Sequence, residues 1–268
     1  MRIDALTIFP RMLEGPLSDG IVQRARAASL VEIQVHDLRE FSDDRHRSVD
    51  DSPFGGGPGM VMKAEPFFRA VESLRRSAPG KGAVVLLSPR GRRFDQATAR
   101  RFAGLDQLLL LCGRYEGVDE RVVEVLADEE LSLGDFVLTG GETAALAVIE
   151  AVVRLIPGAL GDEGSAESDS FEGSLLDWPH YTRPGEWRGH AVPEVLVSGD
   201  HGRIRRWRRK EALRATRERR PDLLAGAPLG PEDLALLREI EDEARAGVPL
   251  GAGQIGRCTS QIGTEKGP

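Results

Sequence analysis

Short, continuously apolar runs recur along the first half of the chain and alternate with segments of helical periodicity. The runs predict strands at 3–9, 31–38, 83–87, 107–112 and about 129–137. Unbroken apolar runs are typical of strands that are covered on both faces. The segments between them predict helices at 18–29, 65–77, 95–103, 118–125 and about 141–155. This alternation predicts an α/β domain, residues 1–160, with a mainly parallel sheet.

The pattern changes after residue 160. The segment GDEGSAESDSFEGS is mostly small and acidic and buries little surface, so we expect 161–175 to be a flexible linker that can close over a ligand as a lid. A Pro- and aromatic-marked segment, a basic helix and a final helix near 231–246 predict a small helical domain at 176–247. The Gly-rich remainder, 248–268, is expected to be a disordered tail.

The charge distribution indicates a polyanionic partner. Residues 201–220 hold ten Arg or Lys and two Glu, a local charge of +8, although the whole chain carries −7. The remainder therefore carries −15. A basic helix on an acidic body favours a directed contact with nucleic acid, whereas an ordinary solvated helix face carries balanced charges.

Several classes of protein are disfavoured by the absence of their motifs. The two cysteines have no CxxC spacing and the histidines no HExxH spacing, which predicts neither disulfides nor a dedicated metal site. No apolar run is long enough to cross a bilayer, so we expect a cytoplasmic protein without membrane contact. A GxGxxG string at 251–256 lacks the βαβ context of a dinucleotide site, and no P-loop occurs.

Three Gly-containing loops follow predicted strands, at 86–91, 112–121 and 132–142. Loops of this kind bring backbone groups close to one flat ligand, which predicts a nucleotide-like cofactor site. A fourth loop, DDSPFGGGPGM at 50–60, has a composition that specifies a particular shape. Its glycines fit either close approach of a ligand or a tight connection between elements, and the loop alone leaves both open.

Three further side chains have alternative interpretations. Arg154 ends an apolar helix, where a cation interacts favourably with the helix dipole. The helix alone favours this structural role over a role in a binding site. Asp169 lies in the expected linker, where it is either solvated or part of a closing lid. Cys112 follows four leucines and is expected to be packed rather than nucleophilic.

The ordered motifs together resemble the bacterial tRNA (guanine-37-N1)-methyltransferases of the SPOUT class. The resemblance spans about 1–245 and rests on DDRHRSVDDSPFGGGPGM, LSPRGRRF, CGRYEGVDERV, LSLGDFVLTGGE, RLIPG, SDSF and LLDWPHYTRP. It implies a deep trefoil knot around residues 86–140 that binds S-adenosylmethionine. The cofactor-binding residues it implies are Leu87, Ser88, Pro89, Gly113, Tyr115, Glu116, Gly117, Leu133, Gly134, Asp135, Phe136, Val137, Leu138, Gly140 and Gly141.

The resemblance also implies the chemistry and the partners. Asp169 corresponds to the general base that takes the proton from N1 of guanosine 37, and Arg154 to the arginine that stabilises charge on the guanine. The family is homodimeric, binds the anticodon stem-loop of tRNA and reads guanosine 36. A magnesium requirement is a family trait. A knotted methyltransferase of ribosomal RNA and an inactive RNA-binding module are the rival interpretations.

Two positions depart from the family pattern. Phe136 stands where the family has tyrosine, which keeps the ring and loses the hydroxyl. Thr143 and Ala144 follow Gly-Gly-Glu where the family often has a proline, so the backbone there is less constrained.

Overall fold

The computed structural model describes residues 1–76, 80–161 and 169–246, which form two compact units, 1–167 and 168–268. Residues 162–168 of the expected linker lie outside the described residues. The expected tail, 248–268, and the GxGxxG string within it also lie outside them. No helix in the described part of the chain is both long and apolar enough to span a membrane.

The first unit contains a five-stranded parallel sheet. Its strands are β1 (Arg2–Thr7), β2 (Glu32–Asp37), β5 (Gly82–Arg93), β6 (Gln107–Cys112) and β7 (Glu129–Ser132). Their order in the sheet is β2-β1-β6-β5-β7. A two-stranded antiparallel ribbon, β3 (Asp50–Asp51) and β4 (Val61–Met62), stands apart from this sheet. The helices are α1 (Arg11–Glu14), α2 (Gly20–Ala27), α3 (Ala64–Arg76), α4 (Gln96–Ala103) and α5 (Glu142–Val153). The predicted α/β class and parallel sheet are confirmed.

The central strand β6 explains the two-sided core. All six of its residues are buried, as expected for an unbroken apolar run in a covered sheet. Leu108 and Leu110 join the cluster formed with α2, α4 and α5, whereas Leu109 and Leu111 join the cluster formed with α3. Successive side chains of a strand point to opposite faces, so one leucine run supplies both cores.

Three sequence-based boundaries need correction. The strand predicted at 129–137 is wrong beyond Ser132, because the chain turns there and the Phe136 amide donates to Gly134 O at 2.9 Å. The strand predicted at 83–87 continues to Arg93 through a register shift between Leu87 and Arg92. The helix predicted at 118–125 is a short π-helix over Val122–Leu126, a wide turn in which the hydrogen bond joins residues five positions apart.

The described part of the second unit, residues 169–246, is mostly helical. Its helices are α6 (Glu194–Val197), α7 (His201–Arg219), α8 (Pro221–Leu224) and α9 (Pro231–Arg245), and it has one hairpin of β8 (Glu186–Trp187) and β9 (His190–Ala191). Its core comprises Leu175, Leu213, Leu236 and Ile240. Asp200 caps α7 by accepting a hydrogen bond from the Arg203 amide at 3.0 Å, which fixes where the basic helix begins.

Candidate active site

A cavity of about 370 Å³ lies at the carboxyl ends of β6 and β7 and beside residues 86–90 of β5, next to the shift in strand register. Parallel strands present their carboxyl ends at one edge of a sheet, which is where ligands bind in open α/β folds. The volume is that of a small-molecule site. Three segments supply its walls: residues 86–90, the loop 113–118 (the second cavity loop) and the loop 132–141 (the third cavity loop). The first segment was predicted as a loop, but it lies within β5, next to the shift in strand register.

The cavity brings together fourteen of the fifteen residues expected to bind cofactor. They are Leu87, Ser88, Pro89, Gly113, Tyr115, Glu116, Gly117, Leu133, Gly134, Phe136, Val137, Leu138, Gly140 and Gly141. Asp135 belongs to the third loop but is exposed and does not line the cavity. Tyr115, Phe136 and Val137 are themselves exposed, so the cavity has an open apolar side.

Glycine is required where the second and third loops meet. A β-carbon at Gly141 would lie 2.7 Å from the Cα of Cys112, and one at Gly140 would lie 2.1 Å from Nε of Arg114. The Gly141 amide donates to Gly113 O at 3.0 Å across the same junction. Side chains here would therefore push apart two loops that form adjoining walls of the cavity.

Cys112 is packed beneath this junction. It is fully buried, and burial, followed by the nearby Glu142 charge, raises the pKa of its thiol well above the ordinary value. A thiol that stays protonated is neither a nucleophile nor a metal ligand. The expectation that Cys112 is a packing residue is confirmed. The other cysteine, Cys258, lies outside the described residues.

The glycine-rich loop at 50–60 is joined to the second cavity loop through backbone hydrogen bonds. The Glu116 amide donates to Met60 O at 3.0 Å, and the Met62 amide donates to Gly117 O at 3.0 Å. Of the two alternatives left by the sequence, a tight connection between elements is therefore present. Phe54, at the tip of the loop, is fully exposed.

The cavity wall also contains charged residues that the sequence analysis did not single out. Arg90 Nη2 lies 2.8 Å from Glu120 and 3.6 Å from Glu130. The hydrogen bond from Arg90 holds the pKa of Glu120 below its usual value. Arg114 pairs at 2.8 Å with Glu142, which is completely buried. In the sequence, the only sign that Glu142 is unusual is its position as a charged residue at the start of an otherwise apolar helix.

The comparisons with known proteins agree with this geometry. Residues 1–226 match the family described as tRNA (Guanine-1)-methyltransferase TrmD. This chain belongs to the TrmD family. A tRNA (guanine-N(1)-)-methyltransferase of Geobacter metallireducens is 52% identical over 91% of this chain and 99% of its own. The enzymes of the same name from Dehalococcoides mccartyi strain 195 and an Anaeromyxobacter species are 54% and 56% identical, over 90% and 91% of this chain and 97% and 98% of theirs.

The two residues that family resemblance marks as catalytic lie in different units. Arg154 ends α5 and is half-buried. It lies ten residues beyond Ala144, the α5 residue that lines the cavity, which is about 15 Å along a helix axis. Asp169 is the first described residue of the second unit and is half-buried.

The basic helix of this TrmD-family chain is partly neutralised within its own unit. Five cations of α7 pair with carboxylates of α9: Arg206, Arg209, Lys210, Arg214 and Arg217. Arg220 pairs with Asp222 at 2.6 Å. Within the described residues, no carboxylate lies within ion-pairing distance of the exposed Arg203, Arg205, Arg208 and Arg219. The unpaired positive charge that the helix exposes is thus carried by these four arginines.

Aromatic side chains lie beside two exposed arginines of this unit, Arg208 on α7 and Arg188 in the turn of the hairpin. The Arg208 guanidinium lies 5.1 Å from the ring centre of Trp178, and Arg188 lies 4.5 Å from that of Trp187. The ring centres of Tyr181 and Trp207 are 6.4 Å apart. Among the described residues, no group of three or more His, Cys, Asp or Glu is arranged to hold a metal ion such as magnesium.

Proposed function

We propose that this protein transfers a methyl group from S-adenosylmethionine to N1 of guanosine 37 in tRNA. The observation that carries the proposal is the family match over 1–226 together with the cavity lined by fourteen of the residues that the resemblance assigns to the cofactor. The tRNA substrate and the guanine-N1 specificity are those of the named relatives. Its place of action is the cytoplasm, where tRNA is modified.

The cavity fits the cofactor chemically. Leu87, Leu133 and Leu138 offer apolar surface to a purine, and the glycine junction leaves backbone groups accessible to polar atoms. S-adenosylmethionine supplies an electrophilic methyl group on a sulfonium centre. The chain contributes binding, orientation and exclusion of water, since methyl transfer to a held nucleophile needs positioning rather than a covalent intermediate.

The chemical roles follow from the acidity of guanine N1. The nitrogen carries a proton and is a poor nucleophile until that proton leaves. Asp169 accepts the proton as general base. Arg154 stabilises the negative charge that develops on the adjacent guanine oxygen. The target base is flipped out of its stack to reach these groups.

The active site is shared between two copies of the chain in a homodimer. The family resemblance supports this arrangement, in which the knot of one chain binds the cofactor while the linker and C-terminal unit of the other supply the base. Within one chain, Arg154 lies about 15 Å along α5 from Ala144, the helix residue that lines the cavity. The exposed apolar residues Tyr115, Phe136 and Val137 beside the cavity support such a partner.

The chain path around 86–140 forms a trefoil knot, with 161–175 as the linker to the tRNA-binding unit. Family membership supports the knot, and the close passage of Gly91 over β7 is compatible with it, since a β-carbon there would lie 2.3 Å from the Leu131 amide nitrogen. The exposed arginines of α7 bind phosphates of the anticodon stem.

Methyl transfer to defined transcripts tests the proposal. Labelled S-adenosylmethionine is supplied with a tRNA transcript carrying guanosine at positions 36 and 37, beside transcripts with adenosine at either position. We expect 1-methylguanosine on the first transcript only. Transfer to ribosomal RNA instead, or cofactor binding without transfer to any RNA, would select one of the rival interpretations.

Complementation between defective chains tests the shared site. Asp169→Ala and a cofactor-pocket variant, Gly141→Val, are each expected to lack activity as homodimers. Co-expressed with distinct affinity tags, their purified heterodimer contains one site with both an intact pocket and an intact base. The expected activity is that of one intact site per dimer, about half that of the wild-type dimer, whereas an inactive heterodimer would place both groups in the same chain.

A further inference from the structure

Glu142 is a fully buried carboxylate that the chemistry proposed above does not use. Its Oε2 accepts hydrogen bonds from Arg114 Nε at 2.9 Å, and its Oε1 accepts one from the Thr7 hydroxyl at 2.6 Å. It does not line the cavity. A buried charge is retained only when it is paired and hydrogen-bonded, so the arrangement depends on all three side chains.

Arg114 connects the two loops that form adjoining walls of the cavity. It belongs to the second loop, and its Nη1 donates to Thr139 O of the third loop at 3.2 Å. Its own backbone forms a bridge with Gly140. On its other side the guanidinium lies 4.8 Å from the ring centre of Phe9, just beyond the end of β1. One side chain thus contacts the third loop, the start of α5 and the segment after β1.

The planar guanidinium is needed for these simultaneous contacts. Nε and Nη2 both reach Glu142, while Nη1 points to the third loop. A lysine ammonium is a single point charge and can reach the carboxylate or the carbonyl, but not both in this geometry. Gly140 leaves the space, because a β-carbon there would overlap Arg114 Nε.

We propose that Arg114, held by Glu142 and Thr7, is a positioning residue that fixes the distance between the second and third cavity loops and thereby sets cofactor affinity. The proposal rests on the cavity being the cofactor site. Variants of Glu142 distinguish a positioning role of Arg114 from direct contact with the cofactor, because Glu142 acts on the cavity only through Arg114 and through the start of α5. Loss of its charge should therefore loosen both loops without removing a cavity-lining atom.

The first test is independent of any ligand. Glu142→Gln and Arg114→Lys are compared with the wild-type protein by hydrogen–deuterium exchange. The Gly141 amide, which donates to Gly113 O, should exchange faster in both variants, together with peptides covering 113–118 and 139–142. Exchange in β2 should not change. Unaltered exchange at 139–142 in either folded variant would overturn the proposal.

The second test measures affinity. S-adenosylhomocysteine binding by calorimetry is expected to weaken about tenfold in both variants, within the usual range for coupled neighbouring groups. In steady-state assays the KM for S-adenosylmethionine should rise while the KM for tRNA stays within about twofold. The double variant should bind S-adenosylhomocysteine no more weakly than the single variant with the lower affinity. Unchanged affinity with faster exchange would refute the link between loop spacing and cofactor.

Matched variants control for folding and for charge. Arg101→Lys and Glu129→Gln alter an ion pair of 2.9 Å that lies outside the cavity, and should leave exchange at 139–142 and cofactor affinity unchanged. Thr7→Ser keeps the hydroxyl and should behave as wild type, while Thr7→Val should reproduce the effect of Glu142→Gln in weaker form. If no protein binds the cofactor analogue, the proposed function fails, but the exchange result still decides the positioning role.

Discussion

Gly59 lies directly against Glu116: a β-carbon at residue 59 would be 2.3 Å from Oε1 and 2.5 Å from Cγ of Glu116. The backbone at Gly59 has φ of +80°, a conformation that side chains rarely adopt. The glycine-rich loop and the second cavity loop therefore fit together only with glycine at this position.

Gly59→Ala should weaken cofactor binding by about tenfold, because the Glu116 side chain in the cavity wall must move and the backbone at residue 59 becomes strained. Calorimetry with S-adenosylhomocysteine measures this. Gly20→Ala controls for backbone strain alone, since Gly20 has φ of +66° with no atom within 4 Å of an added β-carbon. Adding Glu116→Ala to Gly59→Ala should cause little further loss, and fully additive effects would show that the contact is not responsible.

Asp4 should make stability fall in acid. Burial alone would raise the pKa of this carboxyl, but hydrogen bonds from His36, Arg2 and Gln107 lower it overall. A lowered folded-state pKa means that the stabilisation is present above the unfolded value, near 4, and is lost as pH falls through the folded value. Asp4→Asn should cost about 3 kcal/mol at neutral pH and flatten this acid dependence.

Urea unfolding followed by circular dichroism at several pH values measures the effect of Asp4→Asn. Asp19→Asn is the control, because Asp19 is exposed and makes no side-chain capping bond. An Asp4→Asn protein as stable as wild type at neutral pH, with the same acid dependence, would contradict the assigned role of the buried carboxylate.

Cys112 should resist alkylation in the folded protein, because burial keeps its thiol protonated and inaccessible. A Cys258→Ser background leaves it as the single thiol of the chain. Mass spectrometry should show no iodoacetamide adduct at pH 8 in the native state and complete labelling in urea. Stoichiometric labelling of the native protein would mean that the junction above Cys112 opens readily.

The salt dependence of tRNA binding should depend only on the exposed, unpaired arginines of α7. Arg205→Ala should lower the slope of log affinity against log salt by about one. Arg214→Ala removes the same charge from the same helix, but Arg214 is buried against Glu211 and Glu243, so stability should fall and the slope should not change. Anisotropy titrations with an anticodon stem-loop give both slopes. Equal slope changes would mean that the pairing with α9 opens on binding.

Much of the fold was predictable because its signals are local. The leucine run of β6 predicts a covered strand, and the glycine-containing loops after β6 and β7 predict a ligand site, since parallel strands must end at one edge. The third glycine-containing segment, 86–91, also reaches the cavity, but it lies within β5 rather than after it. The end of β7 at Ser132 was missed, because LSLGDFVL continues the apolar pattern while the backbone turns. Periodicity records which residues prefer burial and not where the chain bends.

The sequence by itself determined the α/β class, the positions of the cavity loops and the family, because these depend on short-range pattern and on ordered motifs. The tertiary structure decided which distant groups meet. Thr7 and Glu142 are 135 residues apart, yet they share a hydrogen bond because β1 lies beside β6 and α5 packs against them. Likewise, only the packing of α9 on α7 revealed that much of the basic helix is already neutralised, since pairing depends on which faces are in contact rather than on net charge.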